Sequence, residues 1–155
     1  MCRYIVVRYW GIRLQRGSRA RLTVVGERIA EHAEDLAVFA DYLGVKSLEC
    51  FLGQTSGSRK GVRQGRPGPE PRWHSAAEGL RTVRSLLSYL SWYPRSDRYY
   101  KEVRTELAMF QRALERAERR GVRWRLVAWS ARHYFCRGGR PSRDSRPVRV
   151  VAAAS

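Results

Sequence analysis

The periodicity of apolar positions changes several times along the chain, and each change predicts an element. Residues 3–10, RYIVVRYW, are dense in β-branched and aromatic side chains, which predicts a strand buried on at least one face. ARLTVV, at 20–25, reads as a second short strand after a Gly/Ser-containing loop. Over 27–43 the period becomes helical: Ile29, Ala33, Leu36, Ala40 and Leu43 form one stripe, with Glu31, Glu34, Asp35 and Asp41 off it. Gly44 supplies the stop, and a short helical turn capped by Ser47 follows at 47–52. Ser75-Ala-Ala-Glu78 has the form of a capping box. It opens a second helix whose stripe is Ala76, Leu80, Val83, Leu87 and Leu90, ended near Pro94. Asp97 is placed to cap a third helix over 98–120, striped by Tyr100, Val103, Leu107, Phe110, Leu114 and Ala117 and closed by Gly121. VRWRLVAW, at 122–129, returns to period two.

This order predicts an α+β fold: a small sheet pairing the N-terminal and C-terminal strands, covered by about three helices that include an antiparallel helical hairpin. Residues 53–72 hold five glycines and three prolines, which sustain neither a helix nor a central strand. The expected organisation is a single domain over 1–135 with a long basic loop at 53–74, and a basic, disordered tail at 136–155.

Charge alters this picture more than composition does. The net charge is +17, yet residues 27–52 sum to −4 and residues 75–121 to +4, so the helical frame is neutral. The excess lies in the arm 1–26 (+6), the loop 53–74 (+4) and the stretch 122–155 (+7). Clustered guanidinium groups attract phosphates over about a Debye length. The expected partner is therefore a polyanion, RNA or DNA, bound with little sequence preference. The expected phosphate contacts are Arg13, Arg16, Arg19, Arg21, Arg59, Lys60, Arg63, Arg66, Arg137, Arg140, Arg143 and Arg146. Arginine outnumbers lysine 28 to 3, which suits bidentate phosphate contact. A GC-rich genome would produce the same skew, so the ratio alone does not decide.

No catalytic signature accompanies this charge, and a non-enzymatic binding module without cofactor or metal is expected. Cys2, Cys50 and Cys136 are odd in number and widely spaced, which is no disulfide framework. Cys136 among Arg132, Arg137 and Arg140 could have a lowered pKa, but no base accompanies it. His32, His74 and His133 lack zinc spacing; His32 and Asp35 are three apart, where a solvated helix face is the simpler account. His74 is expected to help start the second helix. GQTSGSRKG (53–61) fails as a phosphate loop because Lys60 follows arginine and precedes glycine. Glu102 with Glu106, and Glu115 with Arg119, are spaced for an exposed, partly ion-paired helix face. No run approaches the roughly 18 apolar residues of a membrane span, and no signal-peptide pattern opens the chain, so a cytoplasmic protein with no membrane partner is expected.

Aromatic and basic residues interleave on both terminal strands: Tyr4, Tyr9, Trp10, Trp124 and Trp129 with Arg3, Arg8, Arg123 and Arg125. On an exposed sheet face this mixture could stack bases and hold phosphates. The favoured expectation is that the aromatics point into the core while the arginines reach outward. Tyr93, Tyr99 and Tyr100 around Pro94 suggest a hairpin lock or a protein-contact patch.

The stretch from Trp73 to Trp129 resembles a family of small uncharacterised bacterial proteins. The shared positions are Trp73, Gly79, Leu80, Thr82, Val83, Leu86 and Leu87, then Leu107, Phe110, Leu114 and Ala117, then Gly121, Val122, Trp124 and Leu126. DYLGVKSLECFLG (41–53) is also similar. These are core, turn and cap positions. The resemblance implies a shared fold and, with no activity assigned to that family, lends no functional residues. It raises an alternative role in protein interaction or immunity, with the basic charge incidental.

Overall fold

A computed structural model describes residues 2–16, 19–52 and 72–136, with side chains described at 5–15, 21–52 and 72–131. The α+β expectation holds: a three-stranded antiparallel sheet is covered by helices. The first strand, β1 (Cys2–Arg16), is 15 residues long, well beyond the apolar run that announced it. It hairpins into β2 (Arg19–Gly26) and pairs on its other side with β3 (Trp124–Cys136), giving the order β2-β1-β3. The terminal strands thus pair as expected, in a register running from Cys2↔Cys136 to Leu14↔Trp124. β3 runs past Phe135, so the strand extends beyond the 122–129 segment that its alternation marked.

Alternation along β1 decides which face meets the helices. Ile12 and Trp10 are buried, as are Leu126, the partner of Ile12 on β3, and Trp124, opposite Leu14. In β2 a one-residue shift between Ile12 and Arg13 leaves Thr23 unpaired, and its hydroxyl donates to the Ile12 carbonyl at 3.2 Å. That bulge puts Val24 on the core side and Leu22 on the opposite side, although residues two apart in a regular strand share a face.

Two helices expected to be continuous are interrupted. The first divides at His32 into α1 (Arg28–Glu31) and α2 (Ala33–Tyr42). The cause is tertiary. Glu106 accepts the N–H groups of Glu27 (3.1 Å), Arg28 (3.2 Å) and Ile29 (2.8 Å), which ties the start of α1 to a distant helix, while α2 packs on α3. The third divides at Tyr100 into α4 (Ser96–Tyr99) and α5 (Lys101–Arg119). Asp97 caps neither; it pairs with Arg104 instead. Tyr100 turns in to meet Phe39 (5.7 Å between ring centroids) and Tyr93 (5.8 Å), and its hydroxyl donates to Asp35 at 3.0 Å. The tyrosine group near Pro94 is in this respect a lock between α2, α3 and the α4–α5 junction. Tyr99 remains exposed.

Between these, α3 (Ala76–Trp92) begins as its sequence indicated: the Ser75 hydroxyl accepts from the Glu78 N–H at 3.4 Å. The Glu78 carboxylate turns instead to Lys46 (2.7 Å) and to the Ser75 hydroxyl (3.3 Å), so an ion pair replaces the reciprocal half of the box. A 3-10 turn at Leu48–Phe51 carries Leu48 and Phe51 into the core. Gly44 and Gly121 end their helices at φ +65° and +61°, the left-handed conformation that favours glycine. α3 and α5 pack together, and Leu80, Val83, Leu86, Leu107, Phe110 and Leu114 between them are almost completely buried.

Candidate functional site

Among the described residues the core helices lie on one side of the sheet, and the other side has no helix over it. Its side chains are those that alternate with the core set: Tyr9, Gly11 and Arg13 on β1, Leu22 and Val25 on β2, and Arg125, Val127 and Trp129 on β3. Ile5, Leu22 and Val25 are exposed, and Tyr9, Arg13, Arg125, Val127 and Trp129 are half-buried. The expectation for the aromatics is therefore corrected in part. Trp10 and Trp124 enter the core, but Tyr9 and Trp129 take the outward set with Arg13 and Arg125, because odd and even positions must face opposite ways. Tyr4 and Arg3 have side chains outside the described residues.

At one end of this face, Arg13 and Arg125 stand directly opposite each other. Like charges in that position repel. The Nε of each guanidinium is buried and has no hydrogen-bond partner among the described residues. Burial, and then the charge of Arg13, push the Arg125 guanidinium below its ordinary value. Trp73 lies beside the pair: the bridge between His74 and Trp124 sets the preceding residue against Arg125, whose guanidinium carbon is 4.9 Å from the Trp73 ring centroid. This cation–π contact offsets part of the repulsion and supplies no negative charge.

Further along, Tyr9 pairs across the strands with Trp129, their rings near-parallel at 21° and 5.8 Å apart. The six-membered ring of Trp129 lies over Gly11: a Cβ there would sit 3.0 Å from its Cζ3 and Cη2, and 2.6 Å from Leu22 Cδ1. Glycine at this position lets the indole rest on the backbone.

The remaining cations divide only in part, since frame residues such as Arg81, Arg95, Arg112 and Arg120 form no ion pair either. Every ion pair among the described residues takes its cation from the helical frame: Arg28, His32, Lys46, Arg84 and Arg104. Arg8, Arg13, Arg21, Arg72, Arg123 and Arg125 form none. The reason lies in the sequence, where 12 of the 14 carboxylates fall within 27–52 and 75–121. Of the expected phosphate contacts, the structure separates the two whose side chains it describes. Arg13 joins Arg125 on the open face. Arg21, opposite Leu14, faces the helix side, where it lines a cleft with Arg116, Arg120 and Ala117. Arg116 and Arg120 also lie near the C-terminal end of α5, where cations complement the helix dipole. Arg16 and Arg19 oppose each other in the hairpin register, with side chains outside the described residues. Arg59, Lys60, Arg63, Arg66, Arg137, Arg140, Arg143 and Arg146 lie wholly outside them, as does the 53–61 segment.

Other groups singled out by sequence take structural positions. Glu106 is no exposed acid but the half-buried cap of α1. Glu102 pairs with Arg28, and Glu115 with Arg84 and Gln111 rather than Arg119. His74 does more than start α3: it is buried, exchanges both backbone hydrogen bonds with Trp124 (2.8 and 3.0 Å), and meets Phe51 edge-on at 5.1 Å. Burial, then Arg72, hold its pKa below the usual value. His32 Nδ1 lies 3.3 Å from Asp35, and Cys50 is exposed. No helix among the described residues is long and apolar enough to cross a membrane. The sequence alone does not mark Arg125 and Trp73 as site residues, because they meet only through register: position 125 faces 13, and the 74–124 bridge brings 73 alongside. Comparison with protein-family models, with curated proteins and with solved structures finds no match.

Proposed function

We propose that the protein is a non-enzymatic module that binds a nucleic-acid polyanion with little sequence preference, and that the open sheet face takes part in the contact. The observation that carries this reading is the Arg13–Arg125 pair, two guanidinium groups placed opposite each other with buried Nε atoms and no ion pair to a carboxylate among the described residues. A buried donor without a partner costs about 1–3 kcal/mol, and an opposed like charge adds to that. A phosphate at the accessible ends of these half-buried guanidinium groups offsets the opposed charge, and arginine receives it in bidentate geometry.

The test is binding of a fluorescein-labelled 20-nucleotide oligonucleotide by anisotropy across a salt series. Affinity should fall steeply, as each neutralised phosphate contributes roughly 0.7–0.9 to the log–log slope. The double variant Arg13→Gln/Arg125→Gln should lower that slope by about one to two. An affinity unchanged between low and moderate salt overturns the reading. Retention of one stoichiometric protein through nuclease and high-salt washes would instead favour the protein-interaction role.

A further inference from the structure

We infer that the Tyr9–Trp129 end of the same face is a base-stacking platform, so that its ligand is single-stranded rather than duplex nucleic acid; this rests on the reading just given. Trp10 and Trp124 serve the core, whereas Tyr9 and Trp129 pair with each other on the helix-free side and remain half-exposed. The Trp129 indole has the Tyr9 ring stacked beside it. It leans onto the backbone of Gly11, where any side chain would meet it at 3.0 Å. Two near-parallel rings at 5.8 Å, laid against a sheet, already form the start of a stack.

Chemistry identifies what continues it. The nearest cations on this face are Arg13 and Arg125, four positions from Tyr9 and Trp129 along their strands, or about 13 Å at strand rise. A ligand spanning both ends needs flat apolar rings joined to anionic groups by a flexible backbone. Single-stranded RNA or DNA has that constitution: bases stack on aromatic side chains irrespective of sequence, and phosphates further along reach the guanidinium groups. In a duplex the base faces are already stacked on one another and only edges and backbone are presented. A sheet-laid indole can therefore reach a base face only in an unpaired strand. Trp73, against Arg125, places a third aromatic at the cationic end.

The experiment compares four probes with the intact chain: a labelled dT20, a 20-base-pair duplex, an abasic 20-mer with the same phosphodiester backbone, and inorganic polyphosphate. The expected order is dT20 tightest. Trp129→Leu keeps an apolar cover on Gly11 but removes the ring face, and Trp129→Phe restores a ring. The leucine variant should weaken dT20 binding by roughly ten- to a hundredfold with an unchanged salt slope. Its binding of abasic strand and polyphosphate should not move, and the phenylalanine variant should recover most of the loss. Thermal unfolding of each variant confirms that the fold persists. Equal affinity for dT20 and the abasic strand, duplex preference, or a leucine variant that binds dT20 normally each overturns stacking while leaving polyanion binding intact. Failure of all four probes removes the parent reading, and the platform with it.

Discussion

Replacing Gly79 by alanine sets two effects of known size against each other. Gly79 lies inside α3, where alanine is favoured over glycine by about 1 kcal/mol. On an open helix face the substitution would stabilise the protein. Here the added methyl would sit 2.2 Å from Cζ2 of Trp124 and 2.7 Å from Cε2. Those distances lie well inside van der Waals contact, so the indole must move. It has nowhere easy to go: Trp124 is fully buried, packs on Phe51 at 5.0 Å between centroids, and donates its indole N–H to the Ser75 carbonyl at 2.9 Å. Overpacking of this kind costs about 1–3 kcal/mol, and a strained or broken indole hydrogen bond adds about 1. Clash therefore outweighs propensity, and Gly79→Ala should destabilise by about 1–3 kcal/mol. For a chain of this length that lowers Tm by several degrees. The assay is urea unfolding followed by tryptophan fluorescence, read as a shifted midpoint at constant slope. Pairing the change with Trp124→Phe should relieve it, giving a coupling energy of at least about 0.5 kcal/mol. A Gly79→Ala protein as stable as its parent, or more so, would refute the packing of the indole against α3.

Two further outcomes follow from the same scaffold. Glu106→Gln keeps an acceptor for Glu27 and Arg28 but turns an amide toward the Ile29 N–H, so it should cost about 1–3 kcal/mol in chemical denaturation; an unchanged midpoint would mean that α1 does not depend on this cap. His74 is held below its ordinary pKa of 6.5 by burial, so the unfolded chain binds its proton first. Stability should be full above about pH 6.5 and fall as pH drops below it, and His74→Phe should flatten that part of the profile; an equally sloped profile in the variant would show that another group is responsible.

The sequence by itself determined the local elements and the separation of charge. Helical stripes, the Ser75 cap and the glycine stops are read within a few residues, because a 3.6-residue period and a terminal hydrogen bond depend only on near neighbours. The neutral frame and basic flanks are likewise a property of order along the chain. The breaks at His32 and Tyr100 were not legible, since each answers to a partner far away in sequence: Glu106 for the start of α1, and Asp35 with Phe39 for Tyr100. The open face was legible only as a composition. Arginine and aromatic residues announced themselves on both terminal strands, but alternation alone gives two sets of side chains without saying which set meets the helices. Tertiary structure decided that Trp10 and Trp124 go inward and Tyr9 and Trp129 outward, because a strand has two faces and the helices cover one of them. It also decided, through a single antiparallel register, that Arg13 meets Arg125.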